Sequence, residues 1–77
     1  MEIEIISFGK IAELVNLKNL NIDGIKDTDG LQKHLEAVFP KLKEIKYKLA
    51  LNKQIIHANS PLASGSVVAI MPPFSGG

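Results

Sequence analysis

The stretch Val67-Val68-Ala69-Ile70-Met71 is the longest uninterrupted apolar run in the sequence, and three of its five residues are β-branched. This composition is typical of a β-strand that lies at the centre of a sheet and is covered on both faces. A membrane-spanning helix would need roughly 18 apolar residues, so the run predicts a strand and no membrane segment.

Shorter alternations of polar and apolar residues predict four further strands. They cover residues 2–5, 19–22, 47–51 and 54–56. The Asn52-Lys53 pair supplies the turn between the last two of these. Phe8 breaks the alternation of the first strand, which predicts either a bulge or burial on both faces there.

One segment changes from strand to helical spacing. Its apolar positions are Leu31, Leu35, Val38 and Phe39. They lie at i, i+4, i+7 and i+8, which is one face of an amphipathic helix. Asp27 or Thr28 is the predicted N-cap, and Pro40 should end the helix at the preceding residue. Because proline is tolerated at a first helical position, a second helical turn containing Leu42 and Ile45 can follow.

The predicted elements follow one another as strand, strand, helix, strand, short strand, strand. We therefore predict an α+β fold, a mixed sheet of about five strands with one main helix packed on one face. A helix between the first and last strands would supply the crossover that parallel pairing requires. This pattern resembles the β-grasp, the fold of ubiquitin. With 77 residues and no linker or repeat, residues 1–77 form one predicted domain.

Composition limits the function classes. Nine lysines, no arginine and eight acidic residues give a net charge of +1, and aromatic residues make up 5% of the chain, which argues against a nucleic-acid partner. The lysines between Lys41 and Lys53 are interpreted as a solvated face. No cysteine is present, which excludes disulfides and thiol catalysis, and the two histidines have no metal-ligand spacing.

A chain of this size buries only about 60–65% of the surface that its unfolded form exposes. Its hydrophobic core is therefore small, and a catalytic cleft would take up much of the volume of that core. We therefore expect function to be carried by a surface or a terminus rather than by an active site of its own. The acidic start Met1-Glu2-Ile3-Glu4 lacks the basic residues of a secretory signal, which favours a cytoplasmic location.

The last seven residues contain the pattern that indicates a chemical function. They read Met71-Pro72-Pro73-Phe74-Ser75-Gly76-Gly77. The prolines cannot extend strand pairing and hold the chain extended, so residues 72–77 are predicted to form a thin tail. Glycine at positions 76 and 77 removes every side chain near the terminal carboxylate and suits a narrow channel. Phe74 is interpreted as an exposed anchor for a partner pocket. A carboxylate needs activation, and no phosphate-binding loop is present, so a partner must activate it.

These residues resemble the MoaD family, the small subunits of molybdopterin synthase. The similarity is carried by residues 68–77, with the Pro-Pro-x-Ser-Gly-Gly ending, and by residues 6–14, 51–54, 61–62 and 64–66. Relatives devoted to thiamin synthesis usually share Gly-Gly without the two prolines. Two departures are Ala12, where the family often has arginine, and Ser64-Gly65-Ser66 in place of an acidic Asp-Gly-Asp, and both remove charge that could face a partner.

The resemblance implies a sulfur carrier that binds no cofactor of its own. A MoeB-like adenylating enzyme would use ATP to activate Gly77, and sulfur from a desulfurase or rhodanese would leave a terminal thiocarboxylate. The tail would enter a large, MoaE-like synthase subunit and donate sulfur to cyclic pyranopterin monophosphate. Gly77 carries over as the reactive residue. The tail residues that carry over as partner contacts are Met71, Pro72, Pro73, Phe74, Ser75 and Gly76.

Three alternatives remain open at this stage. The chain could carry sulfur for another pathway, such as thiamin synthesis or tRNA thiolation. It could be a ubiquitin-like modifier that forms isopeptide bonds with lysines of other proteins. It could also be a plain β-grasp binding module whose terminal glycines are incidental.

Overall fold

The computed structural model of the protein describes residues 2–72 and contains one five-stranded mixed sheet. The strands are β1 (Glu2–Ser7), β2 (Asn19–Asn21), β3 (Lys48–Leu51), β4 (Gln54–Ile55) and β5 (Val67–Met71). Their order across the sheet is β2-β1-β5-β3-β4. The β1–β5 pair is parallel, and all other pairs are antiparallel. The predicted α+β fold of the β-grasp type is confirmed.

Strand β5 occupies the centre of the sheet with the predicted bounds, but only one of its faces is fully covered. Val68 and Ile70 are completely buried, whereas Val67, Ala69 and Met71 are half-buried. The prediction of burial on both faces was therefore wrong. The packed helix covers only one side of the sheet, and β5 keeps its apolar composition on the other side as well.

The main helix, α2 (Thr28–Val38), follows the short helix α1 (Ile11–Leu14), and a 3₁₀ helix (Pro40–Glu44) comes directly after it. As predicted, α2 ends before Pro40 and a second helical turn begins there. The connection from β1 to β5 contains α2, as a parallel pair requires. Neither helix in the described chain has the length and apolar character of a membrane span.

Two side chains cap the N-terminus of α2. Asp27 accepts a hydrogen bond from the Gly30 N–H at 2.9 Å, and Asn59 accepts one from the Asp29 N–H, also at 2.9 Å. The Asn59 amide also donates to the second Asp27 oxygen at 3.2 Å. Asp27 is therefore the N-cap. Thr28 is the first helical residue, and its buried hydroxyl accepts from the Ser60 N–H at 2.9 Å.

The core lies between α2 and the facing side of the sheet. Its buried members are Ile3, Ile5, Ile11, Val15, Ile22, Leu31, Leu35, Leu42, Leu49, Leu62, Val68 and Ile70. Val38, which was placed on the apolar helix face, is 52% exposed, and Ile45 is also exposed. Val38 is the last residue of α2, and Ile45 directly follows the 3₁₀ helix.

Strand boundaries differ from the prediction by one or two residues. Ile22 is buried but follows β2 rather than belonging to it. The first strand has no bulge over residues 4–7, because each residue pairs with one residue of β5. Phe8 is not buried either, since its side chain is 49% exposed. Phe8 instead lies on the side of the sheet that faces away from α2, where it lines a hollow.

The Asp27 cap predicts a pH-dependent stability. The hydrogen bond from Gly30 and then that from Asn59 hold the pKa of Asp27 below its ordinary value of 3.8. A lowered pKa in the folded state means that the stabilisation is complete above the ordinary pKa and is lost as pH falls through the folded-state value. We expect Asp27→Ala to lower Tm at pH 7, with the difference from wild type shrinking below pH 3.8.

Thermal unfolding followed by circular dichroism from pH 7 down to pH 2.5 would measure this difference. Asp27→Asn is the control, because the amide oxygen still caps the helix but does not titrate in this range. A Tm difference between wild type and Asp27→Ala that stays constant with pH would contradict the explanation.

Candidate functional site

On the side of the sheet that faces away from α2, where Glu4 and Lys48 also stand, the described chain has an uncovered apolar area. We call it the open face, and it consists of Ile6, Phe8, Ala50, Ile55, Val67, Ala69 and Met71. These residues surround a hollow of about 520 Å³, with Asn52 and Lys53 at its rim. Exposed apolar patches of this kind mark interaction surfaces in proteins.

Strand register explains the hollow. Ala69 of β5 lies opposite Ile6 on one side and opposite Ala50 on the other, and Ala50 in turn lies opposite Ile55. The row across the sheet therefore has two methyl side chains in the middle and a larger side chain at each end. Side chains of one face stand side by side across neighbouring strands, so the two alanines form a floor between higher walls. The hollow fits an apolar side chain from another molecule.

The β3–β4 turn closes one end of the open face. Asn52 donates its N–H to the Val67 carbonyl at 2.8 Å, and its side-chain oxygen accepts from the Val67 N–H at 2.9 Å. Both turn residues have positive φ, 50° at Asn52 and 77° at Lys53. A two-residue hairpin with this geometry follows the twist of the strands it joins. The turn therefore holds β3 and β4 against the start of β5.

The other end of the open face is where the chain leaves β5. The Phe8 N–H donates to the Ile70 carbonyl at 3.1 Å, β5 ends at Met71, and Pro72 follows with no N–H to donate. A Cβ on Gly9 would lie 3.5 Å from the Pro72 ring, so the ring rests beside the glycine. Met71 belongs both to the open face and to the start of the tail.

Of the predicted site residues, Met71 and Pro72 are described and lie at this exit. Pro73, Phe74, Ser75, Gly76 and Gly77 lie outside the described residues, so their predicted roles remain predictions. The sequence analysis did not identify Ile6, Phe8, Ala50 and Ile55 as residues of the open face, in which Ala50 is only 5% exposed. The signal was present in the parity of Ile6 and Phe8, which places them on the face opposite Ile3 and Ile5.

The polar groups with distinctive surroundings in the described chain lie outside the open face. No group of three metal-ligating side chains occurs within residues 2–72. The Tyr47 hydroxyl donates to the Glu36 carboxylate, and burial together with this hydrogen bond raises the pKa of Tyr47. Ser7 has a buried hydroxyl oxygen with no hydrogen-bond partner among these residues. None of these groups points to chemistry at the open face.

An α+β domain with this strand order, an apolar open face and a tail leaving the central strand defines the class of ubiquitin-like β-grasp proteins. A family model described as "ThiS family" matches residues 5–77, and the chain belongs to that family. It is a ThiS/MoaD-like sulfur carrier with the ubiquitin fold, which confirms the resemblance at this level. A search of curated proteins gave no significant match.

Solved structures share the fold. A putative molybdopterin converting factor subunit 1 from Pyrococcus furiosus matches with a TM-score of 0.83 at 16% identity, over 95% of this chain and 98% of that one. Small archaeal modifier protein 1 of H. volcanii matches at 0.75 and 18% identity, over 95% and 98%. A complex of subunits 1 and 2 of molybdopterin-converting factor from Helicobacter pylori contains a chain matching at 0.69 and 28% identity, over 100% of both chains.

The tail exit gives a prediction about Gly9. Its φ of +60° lies in the left-handed region, where an L side chain is strained, while the contact of a new Cβ with Pro72 at 3.5 Å would be ordinary. Gly9→Ala should therefore lower the free energy of unfolding by about 1 kcal/mol through the backbone alone. Chemical denaturation would measure it.

Gly65→Ala is a matched control, because Gly65 has φ +84° and no atom within 4 Å of a new Cβ. The two variants should lose similar stability. A much larger loss in Gly9→Ala would mean that the fit against Pro72, rather than the backbone angle, requires glycine.

Proposed function

We propose that the protein is the small, sulfur-donating subunit of a molybdopterin synthase. The supporting observation is that the central strand β5 runs past the open face and directly into Met71 and Pro72. A partner that binds the open face therefore takes up the tail at a fixed starting point. The role of the folded domain is to bind the partner and so to position the reactive C-terminus.

The proposed reaction begins with the carboxylate of Gly77. A MoeB-like enzyme joins it to the α-phosphate of ATP and releases pyrophosphate, which gives an acyl-adenylate. A persulfide on a sulfur donor then attacks the acyl carbon and displaces AMP. A thiol reduces the resulting acyl disulfide, and the tail is left with a terminal thiocarboxylate.

In the synthase, the thiocarboxylate sulfur forms a bond to a side-chain carbon of the cyclic pyranopterin monophosphate as a carbon–oxygen bond at that carbon breaks, and water then cleaves the acyl–sulfur bond. Sulfur stays on the pterin, and Gly77 returns to a carboxylate. No step needs a catalytic side chain from this chain.

The large, MoaE-like subunit is the proposed partner of the open face. The Helicobacter pylori relative was solved as a complex of subunits 1 and 2, and it is the most similar in sequence of the three structures named above. An apolar side chain of the large subunit would fill the hollow between Ile6 and Ile55. Desolvated apolar pockets of this type are where interfaces concentrate their binding energy.

Mass spectrometry of the intact protein tests whether the C-terminus carries a thiocarboxylate. Protein recovered from cells that contain its activating enzyme should show a population in which one oxygen is replaced by sulfur. Deleting Gly77 should abolish sulfur transfer and leave Tm unchanged, because the residue lies beyond the strand pairing that ends at Met71. A terminus that stays a plain carboxylate, or a large fall in Tm on deletion, would count against the carrier model.

Binding of the large subunit to the open face is tested by Ala69→Glu, which places a carboxylate at the bottom of the hollow. We expect its affinity for the large subunit to fall by about tenfold or more, because a charge cannot be buried there without a partner. Ala37→Glu on the exposed surface of α2 is the matched control and should bind like wild type. Isothermal titration calorimetry would measure both.

Ile55→Ala keeps the test informative if Ala69→Glu folds poorly, because Ile55 is 46% exposed and its truncation should leave the core intact. It should also weaken binding. Equal affinities of all variants for the large subunit would contradict docking through the open face.

Two other functions have specific support. The family model is that of ThiS, which favours a sulfur carrier serving thiamin synthesis or tRNA thiolation. The likeness to a small archaeal modifier protein favours a modifier joined to lysines of other proteins. A thiocarboxylate that fails to convert the pterin would point to the first, and isopeptide-linked conjugates of Gly77 would point to the second.

A further inference from the structure

Lys53 has a backbone conformation that suits glycine. It is the second residue of the two-residue β3–β4 turn and has a φ of 77°. Turns with positive φ at both central residues favour Asn-Gly, so Asn52 fits its position and Lys53 does not. A non-glycine residue in the left-handed region is strained, and glycine at this position would relieve the strain.

Within residues 2–72, no hydrogen bond or ion pair of the Lys53 side chain compensates for this strain. The Lys53 side chain is exposed, and no carboxylate in residues 2–72 lies at ion-pair distance from it. Its neighbour Asn52, by contrast, makes two hydrogen bonds to Val67 that hold the turn. The turn therefore has a structural reason to keep Asn52 and none to keep a lysine beside it.

The position of Lys53 suggests what the lysine does. It lines the hollow in the open face and belongs to the β3–β4 turn, at the end away from the tail exit. A group docked in the hollow would therefore lie beside this lysine. On the far side of Val67, in register with that residue, stands Glu4 of β1, so the charges at this end of the face differ in sign from one flank to the other.

We propose that Lys53 is a specificity-determining contact, which pairs with a carboxylate of the partner that docks on the open face. The inference rests on the proposed function above and adds to it the chemistry of the partner: an apolar side chain for the hollow, with an aspartate or glutamate beside it on the β4 side. A charge at the rim of an interface selects partners and speeds their association more than it adds to affinity.

Four variants separate the charge of Lys53 from its backbone strain. Lys53→Arg keeps both, Lys53→Gln removes the charge and keeps the strain, and Lys53→Gly removes both. Lys41→Gln on the 3₁₀ helix removes an exposed lysine far from the open face and is the control. Each is measured by calorimetric titration against the purified large subunit at low and high salt, and by thermal unfolding of the free protein.

Lys53→Gln should weaken binding about 2- to 5-fold at low salt, with the difference from wild type vanishing at high salt. Lys53→Arg and Lys41→Gln should bind like wild type. Lys53→Gly should bind as weakly as Lys53→Gln, yet its Tm in the free protein should rise by about 2–5 °C because the strain is gone.

If wild type and Lys53→Gln bind the large subunit equally well, this inference is overturned and the proposed function still stands. Aggregation of Lys53→Gln with unchanged affinity would assign the lysine to protection of the sheet edge instead, and would also overturn it. Wild type that does not bind the large subunit at all would overturn the proposed function and this inference together.

Discussion

The parallel pairing of β1 with β5 is the constraint on which the rest of the structure depends. It joins the two ends of the chain at the middle of the sheet, so every other element must fit between them. Parallel neighbours need a long crossover, and α2 with the 3₁₀ helix supplies it on one side. Because a single helix layer covers only that side, the other side of the same strands stays open. The packed core and the open face are thus two faces of one strand pair.

The sequence predicts the elements better than it predicts their surroundings. Strand β5 has the predicted bounds, and Pro40 ends α2 as expected, because both signals are local. What the sequence does not contain is which residues of different strands stand side by side. The methyl groups of Ala50 and Ala69 look like ordinary strand residues until register makes them neighbours. Val38 follows the helical period but is the last residue of α2 and is exposed, so spacing alone assigns it wrongly to the core.

In the candidate site, too, one part can be predicted from the sequence and another cannot. The tail motif is legible in the sequence because its chemistry depends on residue identity: two prolines stop pairing, and two glycines remove side chains. The open face is a product of pairing between strands that are far apart in sequence. Ile6 and Ala69 meet only because β1 and β5 are aligned as they are. A sequence-based prediction of the face would have needed that register, which no local pattern supplies.

The central position of β5 also determines how the domain responds to force. A pull directed along β5 from its Met71 end is opposed by hydrogen bonds to β1 on one side and to β3 on the other, because these bonds lie across that direction. Such a ladder is loaded in shear, so its bonds must give way together rather than one after another from an end. A tail leaving an edge strand would instead peel that strand from the sheet. If a partner takes up the tail as proposed, the domain behind it therefore stays folded.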